Sequence, residues 1–183
     1  MEFNGANTDA SIIPTHVEMV MFKSAMEWLL GCGSSTREFV SAIENAFVGI
    51  SDKSKRGPLA EPWLKRWPKQ PRPLLAWANE FCVVRGVSAH GAGSAPTVWK
   101  EHQHLVFAAL LFPLLVKLTL SRKGLLALRE DDNEVLMRID AFLGTDPFAH
   151  DWESEDRHPW CKLEADARLT SLARALYPTM VHS

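Results

Sequence analysis

Residues 105–116 form an unbroken apolar run, LVFAALLFPLLV. A membrane-crossing helix needs about 20 such residues, so this stretch is too short to span a bilayer and predicts a helix buried in a protein core. Upstream, Thr97 offers a capping side chain, and the pattern predicts one long helix over 98–121, near-uniformly apolar from Leu105 onward. Such an element belongs at the centre of a fold. Pro113, inside it, predicts a kink.

The rest of the chain is helical in pattern as well. Leu, Ala, Glu, Arg and Met recur at three- and four-residue spacing, Tyr occurs once, and β-branched residues seldom alternate with polar ones. The expected class is therefore all-α. With 183 residues, 46% of them hydrophobic, the chain suffices for one core and is short for two; a polar tail over 1–13 and a single helical domain over 14–183 are expected. Pro14 and Thr15 open a helix over 16–30 with Val17, Val20, Met21, Met26, Trp28 and Leu29 on its apolar face, and Gly31-Cys32-Gly33 ends it. Ser34 or Ser35 caps a second helix carrying Phe39, Val40, Ile43, Ala46 and Phe47, and the two should pair antiparallel. Residues 49–73, rich in Pro, Lys and Arg, predict a loop with one helical turn. A third helix over 74–89 is broken by GAGSAP at 91–96, and shorter helices over 133–142 and 163–176 flank an acidic loop at 145–159.

Charge and cysteine usage bound the function. The opening residues Glu2, Asn4, Asn7 and Asp9 lack the basic start and apolar core of a signal peptide, so a cytoplasmic protein with no membrane partner is expected. Cys32, Cys82 and Cys161 are odd in number and far apart, which predicts neither a disulfide framework nor a thiolate zinc site. A net charge of −2 argues against a cationic nucleic-acid coat. The charge is uneven, however: Lys53, Lys55, Arg56, Lys65, Arg66, Lys69, Arg72 and Arg85 dominate 52–85, and 130–166 is mostly acidic, so a basic face can form. His102 and His104 diverge by about 200° on a helix and do not readily share an ion. His150, His158 and Cys161 match no standard zinc spacing. No metal or other cofactor is expected.

One segment carries pointed chemistry: Arg85-Gly86-Val87-Ser88-Ala89-His90, at the end of the third helix. Five positions separate Arg85 from His90, about 7.5 Å along a helix axis and on different azimuths, so the long Arg side chain must do the reaching. A guanidinium grips a phosphate through two parallel hydrogen bonds, and an imidazole titrates near neutral pH; the two together suit phosphodiester cleavage. The competing structural reading is an Arg paired with a carboxylate and a His capping the last carbonyls. Glu80, in the same helix, reads either as an orienting partner of Arg85 or as an ordinary exposed carboxylate.

At these residues, FCVVRGVSAHGAG, the sequence resembles the HEPN superfamily of helical RNases and RNA-binding domains, whose signature is an Arg followed four to six residues later by a His. The setting is similar too. The motif ends one helix of an antiparallel pair, a Gly-rich connection follows, and HQHLVFAALLFPLLVKLTL supplies the long apolar helix, while FKSAMEWLLG looks like the family's first helix. The resemblance covers about 16–121 and implies an antiparallel helical bundle with additional C-terminal helices over 122–183. It further implies a metal-independent endoribonuclease in which Arg85 stabilises the scissile phosphate and His90 moves protons, leaving a 2′,3′-cyclic phosphate and a 5′-hydroxyl. One imidazole cannot act at both ends of an in-line displacement, so a homodimer with a composite cleft is expected. A defence or toxin–antitoxin setting, with an antitoxin or nucleotidyltransferase partner, goes with that reading. Gly86 departs from the family, which commonly places a polar residue directly after the Arg; Ser88, three residues beyond Arg85, is the candidate replacement. Lys65 and Arg66, between Trp63 and Trp67, are candidate RNA contacts through phosphate binding beside stacking rings, although packing is the alternative role for the two Trp. Two other readings stand beside the enzyme: a catalytically silent module that binds RNA, nucleotide or protein, and a purely structural helical subunit.

Overall fold

The computed structural model describes residues 14–50, 60–90, 97–144 and 160–176. Among them the chain forms seven helices and no strand, so the all-α class holds. In order they are α1 (Thr15–Leu30), α2 (Thr36–Ala46), α3 (Ala60–Arg66), α4 (Pro73–His90), α5 (Glu101–Arg122), α6 (Glu130–Gly144) and α7 (Trp160–Leu176). The tail over 1–13, the break over 91–96 and the acidic loop over 145–159 lie outside the described residues. The chain divides into two compact units, one of Met1–Ala46 with Leu75–Thr119 and one of Phe47–Leu74 with Leu120–Ser183.

In the first unit α1 ends where Gly31 turns left-handed (φ 65°), freeing Cys32 N–H to reach the Glu27 carbonyl at 3.1 Å. Ser35 then caps α2: its Oγ accepts the Glu38 N–H at 3.2 Å and donates to the Glu38 carboxylate. The buried face of α1 differs from the expected one. Met19, Lys23 and Met26 are buried, whereas Val17 and Trp28 are exposed, Trp28 to 85%. Lys23 takes an inward position because its ammonium is fully answered there: it pairs with Glu27, donates to the Ser34 carbonyl at 3.0 Å and lies 5.4 Å from the Phe39 ring centre.

The helices α4 and α5 pack antiparallel, as their ring contacts show. Trp77 meets Phe107 edge-on at 4.7 Å, and one turn further along α4 Phe81 meets His104 at 5.9 Å, so the register runs backwards. The start of α5 corrects the sequence reading. Thr97 is exposed and upstream; the helix begins at Glu101, and Gln103 reaches back to accept the Lys100 N–H at 2.8 Å. Pro113 lies within a helix that continues to Arg122. Among the described residues α5 alone is long and apolar enough to cross a membrane, because the whole helix outruns the apolar run that first marked it. Phe107, Ala108, Leu110, Leu111, Leu114, Leu115 and Leu118 along it are nonetheless buried.

The second unit contains α3, α6 and α7. A helix of seven residues, α3, replaces the predicted single turn. In α6, Val135, Leu136, Ile139 and Leu143 are buried, and α7 contributes Leu163 and Ala167. Arg138 of α6 donates to Thr170 of α7 at 2.7 Å while Arg174 of α7 stands against Glu130 (3.8 Å) and Glu134, which makes this pair antiparallel too.

Candidate functional site on the motif helix

Everything singled out by the motif lies on α4. The helix starts at Pro73, where the missing N–H costs nothing, and its first turn is capped from a distance: Asp140 Oδ1 accepts the Leu74 N–H at 2.8 Å. Asp140 Oδ2 accepts from Arg72 Nε at 2.7 Å, so the buried carboxylate is satisfied on both oxygens. From there α4 stays helical through His90. Arg85, Gly86, Ser88 and His90 therefore share one helix, as the sequence predicts, and the helix reaches one residue past the expected end.

Arg85 is half-buried. Its Nε is buried without a hydrogen-bond partner, and among the described residues no carboxylate pairs with its guanidinium. The side chains of Ser88 and His90 lie outside the described residues. At Gly86 an added Cβ would meet nothing within 4 Å, so close packing does not require glycine there. Cys82, one turn before Arg85, has its thiol pushed up to about 11, chiefly by burial; the nearby Lys23 charge and a hydrogen bond with Thr36 counteract only part of this. It stays a neutral thiol at physiological pH.

Glu80 is neither of the things expected from the sequence. It is 1% exposed, and its Oε1 accepts the backbone N–H groups of Val98 at 2.8 Å and Trp99 at 2.9 Å. His104, fully buried, brings Nε2 to 3.4 Å of the same oxygen without hydrogen-bond geometry. Rings surround this point: Trp77 stacks on Phe81 at 4.9 Å, and Trp99 lies edge-on to His104 at 6.2 Å. One signal in the sequence pointed here. Glu80 is the lone carboxylate of α4, in a stretch that apart from Asn79 is Leu, Ala, Trp and Phe, and a charge at such a position needs internal partners.

Lys65 and Arg66 lie on α3 in the second unit, both exposed. The Arg66 guanidinium sits 5.3 Å from the Trp67 ring centre, and Trp63 is buried, so Trp63 packs in its core and offers no face to a base. His102 is exposed and Cys161 half-buried; His150 and His158 lie outside the described residues. Among the described residues no three His, Cys, Asp or Glu side chains gather as metal ligands. No protein-family model matches the chain, and neither a curated protein nor a solved structure does.

Proposed function

We propose that this chain is a metal-independent endoribonuclease of the HEPN type, cytoplasmic, acting through Arg85 and His90 at a cleft between two copies. The observation that carries this reading is Arg85: a half-buried guanidinium, one helix with His90, with a buried unpartnered Nε. A cation held this way is ready for an outside anion, and a phosphodiester offers the two oxygens a guanidinium fork prefers. In the proposed reaction Arg85 holds the non-bridging oxygens. The imidazole of His90 takes the proton of the ribose 2′-hydroxyl, whose oxygen attacks phosphorus. The P–O5′ bond breaks, and the His90 of the second copy protonates the departing oxygen. A 2′,3′-cyclic phosphate and a 5′-hydroxyl result, and no metal is needed for either proton transfer. Lys65 and Arg66 supply phosphate contacts for the RNA strand in this reading, and Ser88 the polar group beside the motif. A defence or toxin–antitoxin role, with an antitoxin or nucleotidyltransferase partner, belongs to the same proposal.

Incubating purified protein with total RNA in EDTA tests it. Wild type should cleave, and Arg85→Ala and His90→Ala should each lose roughly 10²- to 10⁴-fold in rate while keeping their helical circular dichroism. Arg85→Lys should fail as well, because an ammonium is a point charge without the bidentate fork. Gly86 favours one second reading, a silent module that binds RNA without cutting it; gel retardation of intact RNA by wild type would select that reading.

A further inference from the structure

We propose that a second copy of this chain packs on the outer face of α7, the two α7 helices running antiparallel with Leu169 of each copy against Leu172 of the other. The inference goes beyond the endoribonuclease reading, which calls for two copies without naming a surface that joins them, and it does not depend on that reading. Its starting point is a helix with three leucines on the side away from its packing partner. Toward α6, α7 presents Leu163, Ala167, Thr170 and Arg174: the first two are buried, Thr170 accepts from Arg138, and Arg174 meets Glu134. Two residues further along at each step, about 200° round the helix, come Ala165, Leu169, Leu172 and Leu176. All four are exposed, the leucines to 66%, 56% and 61%.

Three properties of this outer face select a copy of itself as the occupant. First, its steps of four, three and four residues are those of a paired-helix seam, and they read the same in both chain directions. A twofold axis between Thr170 and Ser171 therefore sets Leu169 against Leu172 twice and Ala165 against Leu176 twice, small against large. Second, the flanks match in size. The exposed Asp166 and Arg168 of one copy fall beside the exposed Ala173 and Ala175 of the other, so the longer side chains lie over the shorter ones. Third, the charges agree with the pairing. No charge stands at any of the four seam positions, neither Asp166 nor Arg168 meets a like charge across it, and Arg168 stays at the rim, 4.0 Å from Glu164 of its own helix. Antiparallel helices also lay their dipoles head to tail. A single helix pair lies at the small end of interface sizes, below about 1,200 Å² in total, so the association is weak and concentration-dependent.

Sedimentation velocity on the full chain, from micromolar to sub-millimolar concentration, tests the proposal. Wild type should pass from monomer to dimer as concentration rises. Leu169→Glu and Leu172→Glu each place two carboxylates in the seam of a dimer and should weaken association by roughly tenfold or more. Both should keep the helical circular dichroism of wild type, since each residue faces water in the single copy. Ala173 tests the register: Ala173→Lys sets an ammonium beside Asp166 of the other copy and should tighten association by roughly two- to fivefold, and Ala173→Glu should weaken it by as much. In a mixture of labelled and unlabelled chains, intermolecular NOEs should join the Leu169 and Leu172 methyl groups. A wild type that is monomeric throughout, or a dimer that Leu169→Glu and Leu172→Glu leave intact, overturns the proposal. So does tighter association in Ala173→Glu than in Ala173→Lys. A monomeric wild type whose Leu169, Leu172 and Leu176 methyl signals shift on phosphatidylcholine–phosphatidylserine vesicles overturns it as well, and assigns the stripe to a lipid surface. Association is read without RNA, so a chain that pairs through α7 and cuts no RNA upholds this proposal and removes only the endoribonuclease reading.

Discussion

The α4–α5 pair and the α6–α7 pair each bury a carboxylate, and each answers it differently. Glu80, in the first, meets backbone N–H groups inside a wall of rings, whereas Glu134, in the second, is fully buried and meets the guanidinium groups of Arg138 at 3.4 Å and Arg174. Backbone donors cannot be mutated away and carry no compensating charge; guanidinium donors can be deleted singly, and they feel salt. The first arrangement is rigid and dry, suited to holding a main-chain path. The second is a charge network laid along a helix seam, with Arg174 a quarter exposed.

If that contrast is right, deleting a ring from the first pair should be the most damaging single change. Trp77 is fully exposure-free and touches Phe81 and Phe107, so Trp77→Ala should cost about 3–5 kcal/mol, read as a lowered urea midpoint and early loss of amide protection in α4 and α5. Protection lost first in α6 and α7 would break the comparison.

Dryness around α4 also predicts a response to alkali. The Cys82 thiol sits near 11 when folded and at an ordinary 9.0 in a reference chain, so between those values the unfolded chain gives up a proton that the folded chain keeps. Stability should therefore decline as pH rises from 9 to 11, by roughly 2–3 kcal/mol at most, and Cys82→Ala should flatten that decline. Denaturant midpoints across this range check it; a decline of equal size in Cys82→Ala would assign it elsewhere.

For the charged seam, Arg174→Ala removes a cation from Glu134 and the contact with Glu130. The partial exposure of Arg174 screens the loss, so about 1–2 kcal/mol is expected, shrinking at high salt. Glu80→Ala should depend less on salt, because the Val98 and Trp99 N–H groups that Glu80 accepts are uncharged. Equal salt responses in the two variants would erase the distinction between the pairs.

How much of this was legible in the sequence follows the same divide. The span of α4 and the burial of α5 were readable because an apolar run and a Gly-rich break are local signals. Arg85 and His90 on one helix followed from them. The buried face of α1 was not readable, since Lys23 is drawn inward by Glu27 and the Ser34 carbonyl, partners that apolar spacing does not encode. The true start of α5 had a signal that Thr97 obscured: Lys100 followed three residues later by Gln103. The roles of Glu80 and Asp140 depend on partners 18 to 68 residues away; the apolar setting of Glu80 signals that partners are needed, but no local pattern names them. Lys65 and Arg66 fall on a helix that a Pro-rich stretch did not predict, Pro62 being tolerated in its first turn.

The smallest expected effect is at Gly86, inside α4. Nothing lies within 4 Å of a Cβ placed there, and the residue is inside α4 with ordinary helical backbone, so glycine is required neither by space nor by conformation. Replacing it by Ala should therefore stabilise the protein by about 0.5–1 kcal/mol, because an interior helical glycine forfeits that much in backbone entropy. A thermal melt that falls instead would mean that Gly86 accommodates something in the working protein. Gly86→Asn restores a polar group directly after Arg85 and fits the same open space. If wild type binds RNA but cuts it slowly, Gly86→Asn should raise the cleavage rate without altering Glu80 or its bonds to Val98 and Trp99. A rate unchanged by Asn would mean that the residue directly after Arg85 does not limit cleavage.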